Sequence, residues 1–379
     1  WQLRRDNKKN FKKTCQMKSK KTPLHRNHIE LSAKMVDFAG YQMPIQYKGI
    51  KEEHNHVRSS AGLFDVSHMG EIIVSGNKAE DFLDRMLIND VKKIQTWDAQ
   101  YSAMCNENGG IIDDLIVYRY PEHYMLVVNA SNIQKNFDWL IANKDDHVDI
   151  FNLSEKINIV AIQGPASRII LSKLIDFDLS KLEFYKFMET PFSGKIITIS
   201  RTGYTGELGY EIYAGDDQII KIWNDILDIG DGKVLPAGLG CRDTLRMEMN
   251  YPLYGNDLNE KTNPIEAGLS WITKLNQREF VGSDRIKMFK KNYTKKSVCL
   301  EMIDKGIPRK DYSIKLDNIE IGHITSGTYS PSLSKGIAIG LINKDLAVIG
   351  SVLDVEIRNR TMKCKIVKPP FYKDGSLLS

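Results

Sequence analysis

The chain has 379 residues, enough to bury a sizeable core and, at roughly 150 residues per domain, to form two or three domains. Hydrophobic residues make up 42% and charged residues 27%, the balance of a soluble globular protein, and apolar runs such as Ile157 to Ile162 are far too short to span a bilayer, which excludes a helical membrane anchor. The net charge of +5 would suit an anionic partner such as nucleic acid, but nine Lys or Arg and one acid, Asp6, lie between Trp1 and Thr22. That local +8 leaves −3 for the remaining 357 residues, so the folded body is not a nucleic-acid binder by charge.

The basic stretch over 1–22 lacks the roughly 7–15-residue apolar segment of a secretory signal. It has the composition of a mitochondrial transit segment, which places the protein in the matrix, or of a solvated lysine-rich tail. The body is expected to begin at Pro23. Five cysteines, Cys15, Cys105, Cys241, Cys299 and Cys364, are scattered without a close pair, so neither a disulfide framework nor a metal site follows. His54 and His56 stand two apart and face different sides of a helix, so they are expected to be structural or solvated rather than metal ligands.

In chain order, Glu71 to Ser75 is a short β-branched run. Asn77 and Glu80 form a plausible capping box for a helix whose Ala79, Phe82, Leu83, Met86 and Leu87 share one face. Two strands, Leu115 to Tyr120 and Tyr124 to Asn129, flank a Pro121-Glu122-His123 turn, then a helix runs from Asn132 to Ala142 and a strand from Ile157 to Ile162. Strand, helix, strand, strand, helix, strand is the split βαβ pattern of ferredoxin-like folds. Later strands around Ile196 to Ser200 and Tyr210 to Tyr213 precede a helix carrying Ile219, Ile222, Trp223, Ile226 and Leu227 on one face, with Asp216 and Asp217 at its start. A basic, polar linker is expected over 283–296 and an all-β domain over 297–379, after a body over 23–282.

Four segments concentrate glycine, carboxylate and aromatic residues: Gly62 to Gly70 (GLFDVSHMG), Asn106 to Leu115 (NENGGIIDDL), Arg201 to Tyr213 (RTGYTGELGYEIY) and Ala237 to Asp257 (AGLGCRDTLRMEMNYPLYGND). In the second, the Gly109-Gly110 turn precedes Asp113 and Asp114, whose side chains on an extended segment face opposite ways. Asp114 is the candidate for a pocket and Asp113 for a turn cap or solvent. Solvated turn aspartates are the alternative. In the third, no GxGxxG or phosphate loop occurs, whereas Tyr204, Glu211 and Tyr213 suit a planar heterocycle that stacks and offers paired N–H donors; half-buried strand residues are the alternative. In the fourth, Arg242 and Arg246 share a helix face and could hold a ligand carboxyl, or pair structurally with Asp243.

Together these segments resemble the aminomethyltransferase family, the glycine cleavage T-proteins. So do KMVDFAGYQMPIQY (Lys34 to Tyr47), AIQGP (Ala161 to Pro165), NPIEAGLSW (Asn263 to Trp271), HITSGTYSPSLSKGIAIG (His323 to Gly340) and KPPF (Lys368 to Phe371), which extend the match over nearly the whole body. The resemblance implies an α+β fold of three domains around a central folate-binding hole, two of them intertwined, one ferredoxin-like and the last a β-barrel. It implies transfer of the methylene of an aminomethyl group, carried on the lipoyl arm of the H-protein, to tetrahydrofolate, with release of ammonia and formation of 5,10-methylenetetrahydrofolate. It further implies Asp114 as the essential acid, Glu211 as acceptor for the pterin amino edge, and Met69, Tyr101, Asn129, Tyr204, Arg242 and Trp271 as folate-pocket residues, with tetrahydrofolate as co-substrate and no metal or nucleotide.

Tyr251-Pro252 and Lys373 depart from the family pattern, the first replacing smaller residues and the second an Arg. The folate domain of dimethylglycine or sarcosine oxidising flavoproteins is similar in these motifs but accompanies a flavin domain, for which this chain has no dinucleotide fingerprint. A folate-binding assembly factor for iron–sulfur proteins shares the fold but lacks the acid pair after the glycines.

Overall fold

The computed structural model describes residues 19–276 and 278–379. The amphipathic segments become helices where the three-and-four spacing of apolar residues puts them on one stripe. Helix Ala79–Met86 buries Ala79, Phe82, Leu83 and Met86, and helix Asp216–Gly230 buries Ile219, Ile222, Trp223 and Ile226. Asp216 and Asp217 favour the positive end of the second helix, and Asp231, in left-handed conformation at φ 44°, ends it. The expected Asn77 cap does not form. Lys78 occupies the cap position without a side-chain bond, and Glu80 turns to Arg119 and the Tyr124 hydroxyl, both at 2.9 Å, where a cation and a phenol on the sheet compete with the backbone for its carboxylate.

Two α+β bodies share the chain between residues 20 and 276. In the first, a five-stranded antiparallel sheet has the spatial order Ala99–Cys105, Ile111–Arg119, His123–Val128, Gly70–Ser75, Asp149–Asn152, with helices Ala79–Met86 and Ile133–Ala142 in its connections. The ferredoxin-like order holds with two corrections. Ala99–Cys105 is an added edge strand, and the closing strand is Asp149–Asn152 rather than the Ile157 run. Asn158–Gln163 lies instead in a second sheet, ordered Phe187–Phe192, Lys195–Ser200, Gly209–Ala214, Asn158–Gln163, Ala61–Asp65, Val234–Pro236. All six of its residues are buried between two neighbours, and a continuous apolar run of this kind does not say which sheet it joins.

The chain crosses between the sheets twice. Ala61–Asp65 belongs to the second and Gly70–Ser75 to the first, so the short Val66 to Met69 stretch spans the junction. The two bodies are therefore intertwined.

The third body is a closed six-stranded barrel of Lys295–Met302, Ser313–Leu316, Ile319–Ser330, Lys335–Asn343, Val352–Ile357 and Arg360–Val367 around fully buried Leu300, Ile314, Ile324, Ile342, Val355 and Cys364. The expected linker over 283–296 is corrected. Ser283–Asn292 is a helix that buries Ser283 and Ile286, and its basic residues are a solvated face rather than a sign of missing structure. The boundary at residue 22 is corrected too: Lys20–Lys21 pair in parallel with Tyr41 and Gln42, and the Thr22 hydroxyl donates to Asp65 at 2.7 Å. Residues 1–18, with Cys15 and nearly all of the basic stretch, lie outside the described residues. Cys105, Cys241, Cys299 and Cys364 are buried and form no disulfide among the described residues.

Arg58, on helix Ile50–Ser59, ties the bodies together. Its guanidinium donates to Glu207 at 2.7 Å and Glu248 at 2.8 Å and lies 4.2 Å from the Tyr372 ring centroid. Glu248 in turn accepts from Ser332 of the barrel, and Glu207 from the Ser376 amide at 2.8 Å. His54 belongs to this network through Thr244 (2.8 Å) and Ser332 (2.9 Å), which makes it structural, as expected.

Candidate active site

The three bodies meet around a cavity of about 1470 Å³. All eight residues singled out in the sequence line it: Met69, Tyr101, Asp114, Asn129, Tyr204, Glu211, Arg242 and Trp271.

The acid pair is placed by a turn that glycine makes possible. Gly109 sits at φ 81°, and a Cβ on Gly110 would stand 1.8 Å from the Glu260 carbonyl oxygen, so the chain can double back only without side chains there. Strand Ile111–Arg119 then sends Asp113 and Asp114 to opposite faces. Asp114 reaches the cavity, where Tyr101 Oη donates to its Oδ2 and Asn129 Nδ2 to its Oδ1, each at 2.9 Å. Asp113 neither caps a turn nor meets solvent. It is fully buried and accepts from the Asn129 amide N–H (3.1 Å), Asn129 Nδ2 (2.9 Å), Asn132 Nδ2 (2.6 Å) and Asn136 Nδ2. The helix Ile133–Ala142 and the turn before it supply that shell, which covers the face the sequence left open.

Asn129 bridges both carboxyls. Burial pushes both above the usual carboxylate range, with Asp114 raised further by the Asp113 charge and held back by its Tyr101 and Asn129 donors. The asparagine donors oppose the rise at Asp113. The cavity thus holds a carboxyl that is enclosed by protein yet reachable, and poised to take or give a proton near neutrality.

Aromatic rings form its walls. Trp271 stacks on Tyr101 with centroids 6.1 Å apart and 24° between planes, and remains 63% exposed, so it stands at a mouth of the cavity. Tyr204 stacks on Tyr251 at 5.5 Å and donates its hydroxyl to the Pro252 carbonyl. The unusual Tyr251-Pro252 pair therefore braces a cavity wall, whereas Lys373 is exposed and does not line it. Arg242 lies 4.8 Å from the Tyr204 ring centroid, and its side chain has no ion pair or hydrogen bond among the described residues. Burial lowers its pKa, and the charge of Glu211 opposes the shift. Glu211 takes one hydrogen bond, from Thr202 Oγ1 to Oε2 at 2.6 Å, leaving Oε1 available. Arg246 is instead structural: it pairs with Asp243 and Asp257, both at 2.9 Å, and the latter also receives hydroxyls from Thr325 and Ser326 of the barrel.

His68, Tyr251 and the barrel's Lys296, Arg309 and Ile339 also line the cavity and were not anticipated. His68 stands inside a quoted motif, where the Val66 to Met69 crossing marks it only once the sheets are known. The barrel residues carry no local signal, because domain packing alone brings them here. Among the described residues no group of three His, Cys, Asp or Glu is placed to hold a metal, and no helix is long and apolar enough to cross a membrane.

Residues 24–277 match the GCVT N-terminal domain family, and residues 295–373 match the glycine cleavage T-protein C-terminal barrel domain. An aminomethyltransferase from Lysinibacillus sphaericus is 46% identical over 359 residues, which is 93% of this chain and 98% of that protein. One from Bacillus subtilis is likewise 46% identical over 359 residues, covering 93% and 99%. The crystal structure of the glycine cleavage system aminomethyltransferase T from Bartonella henselae superposes with a TM-score of 0.89 at 32% identity, over 94% of this chain and 99% of that one. These relatives are bacterial, which overturns the expected mitochondrial location. The transit-like composition of the first residues was a weak signal, because lysine-rich ends arise for many reasons.

Proposed function

The chain belongs to the glycine cleavage T-protein family of aminomethyltransferases, and from that premise we propose how its cavity carries the reaction. It is a folate-dependent aminomethyltransferase of the glycine cleavage system. In our reading the co-substrate is tetrahydrofolate and the donor an aminomethyl group on the lipoyl arm of an H-protein. Two C–N bonds form at the folate nitrogens while the C–S and C–NH₂ bonds of the donor break. The two folate N–H protons leave with ammonia and the dihydrolipoyl thiol.

Tetrahydrofolate supplies both nucleophilic nitrogens, so the protein needs orientation, exclusion of water and one proton-handling group. The residues fit that demand. Glu211, with one carboxylate oxygen left without a donor among the described residues, accepts the paired N–H donors of an aminopyrimidinone, and Arg242, a half-buried cation whose side chain has no ion-pair or hydrogen-bond partner among the described residues, takes an acceptor edge of the ligand. Met69, Tyr101, Tyr204 and Trp271 enclose the ring system and keep water out. Asp114 steers protons and stabilises positive charge developing at the methylene, while Asn129 and Tyr101 hold its carboxyl toward the cavity. The single observation that carries this assignment is the position of Asp114, a carboxyl of raised pKa on the cavity wall, backed by a partner that cannot reach the ligand.

The test is Asp114→Asn. The amide keeps the size but removes the charge, so methylenetetrahydrofolate formation should fall by at least about 10²-fold. Tetrahydrofolate affinity should change far less. Full activity in this variant removes Asp114 from the chemistry.

A further inference from the structure

Three buried histidines distinguish structure from function in this chain. His28 bonds Asp65 through Nε2 and the Tyr47 hydroxyl through Nδ1, each at 2.9 Å, and His54 bonds Thr244 and Ser332. Both have each ring nitrogen satisfied, as buried polar groups kept for stability normally are. His68 is as buried, at 3% exposure, yet neither of its nitrogens has a hydrogen-bond partner among the described residues. Nδ1 is completely occluded and unpaired, whereas Nε2 is not occluded and faces the cavity that His68 lines. Phe38 packs edge-on against the ring at a centroid distance of 5.5 Å, which fixes its orientation without satisfying it.

An imidazole that is aimed into a cavity and left unmet by the protein is shaped for a ligand. The chain crossing at Val66 to Met69 puts it there. Its surroundings say which ligand atom. In the second sheet Glu211 and Phe64 pair with Ala161 from its two sides, His68 follows Phe64 by four residues, and Arg242 lines the same cavity close enough for its charge to act on both, so the three stand at one end of it. Burial, together with the Arg242 charge and against the pull of Asp65, brings the His68 pKa down to about 4, so the ring is neutral at physiological pH. A neutral imidazole carries one N–H. With Nδ1 walled off from every acceptor, and an orphaned N–H being the less tolerable of the two unmet states, that proton belongs on Nε2. This end of the cavity therefore presents an acceptor, Glu211, beside two donors, Arg242 and His68 Nε2–H. That pattern is the complement of an aminopyrimidinone edge, whose amino N–H donors stand beside a ring carbonyl.

We propose that His68 is a specificity-determining residue that donates Nε2–H to the ring carbonyl oxygen of the bound pterin. The proposal rests on the folate reading above and deepens it. A site built to donate to a carbonyl rejects an analogue that offers an amino group there, because two donors then face each other.

The experiment measures equilibrium binding of tetrahydrofolate and of its 4-amino analogue to the full chain, the His68→Phe variant and the His68→Gln variant, with melting temperatures as the check on folding. Phe keeps the ring packing against Phe38 and removes the donor, and Gln restores an N–H. The full chain should prefer the oxo compound by about tenfold or more, His68→Phe should narrow that preference by about three- to tenfold, and His68→Gln should recover part of it. A merely structural His68 would weaken both ligands equally and leave the ratio unchanged, which overturns the proposal, as does an absence of preference in the unaltered chain. Failure of the unaltered chain to bind either compound overturns the folate reading itself, and this assignment with it.

Discussion

Replacing Arg58 by Ala removes the cation that two buried carboxylates share. The Arg58, Glu207 and Glu248 side chains are 7%, 2% and 0% exposed, so solvent cannot take over its place. Breaking a buried pair by deleting one partner costs about 3–5 kcal/mol, because the remaining charge stays desolvated. Here both acids keep other donors, Glu248 from Ser332 and Ser330 and Glu207 from Ser376, which argues for the lower end, about 3 kcal/mol. At roughly 2–4 °C per kcal/mol that is a fall of about 6–12 °C in melting temperature.

The same change alters the acid limb of stability. Burial alone would raise the Glu248 pKa, but His54, Arg58 and Ser330 hold it down to about 2. A depressed carboxylate pKa contributes stability that is complete above the ordinary value of about 4.3 and is lost as pH falls toward 2. Without Arg58 the native pKa rises and the slope between those values flattens. Thermal and denaturant unfolding from pH 7 to pH 2.5 reads both effects, with Arg58→Lys recovering part of the first because an ammonium restores charge but not the fork. A loss below about 1 kcal/mol with an unchanged acid limb would refute the view that Arg58 holds the barrel against the cavity wall.

Three further outcomes are expected. Glu71 is fully buried with both carboxyl oxygens unpaired among the described residues, and burial raises its pKa well above the ordinary range, so its effect runs the other way: stability is present below about 4.3 and is lost as pH rises through the native pKa. Glu71→Gln should therefore gain melting temperature over the unaltered chain at pH 8 and gain little at pH 4.5; equal gains at both would dismiss the titration argument. Asp113→Asn turns an amide N–H₂ toward the side chains of Asn129, Asn132 and Asn136, and it should destabilise by about 1–3 kcal/mol in denaturant titration, so loss of activity there reports a damaged shell rather than lost chemistry. Tyr101→Phe deletes a donor to the charged form of Asp114 and should raise that pKa, moving the acid limb of the pH–rate profile upward; a profile that stays in place would separate Tyr101 from proton handling.

Much of the site was legible because its residues sit in motifs whose chemistry is local. The Gly109-Gly110 turn and the strand alternation after it sufficed to send Asp113 and Asp114 to different faces, and Asp114 is the one that lines the cavity. The environment of Asp113 was not legible, since Asn132 and Asn136 reach it from a helix whose apolar periodicity says nothing about where its polar face docks. The helices of the ferredoxin-like body were set by their apolar stripes, but the partner sheet of Asn158–Gln163 was not, because a strand buried on both sides has no alternation to orient it. Composition misled at 283–296, where ten residues of helix expose their lysines to water and bury only Ser283 and Ile286. His68 stayed hidden because its significance lies in what it fails to bond.

In our proposal this cavity transfers a methylene from a lipoyl-bound aminomethyl group to tetrahydrofolate. Its most direct test is a single-turnover experiment in which the purified chain is mixed with aminomethylated H-protein, with and without tetrahydrofolate, and ammonia and methylenetetrahydrofolate are quantified together. One ammonia should appear per methylenetetrahydrofolate formed, and the rate should collapse when tetrahydrofolate is left out. Ammonia release at the same rate without tetrahydrofolate, or no methylenetetrahydrofolate in its presence, would contradict the proposal.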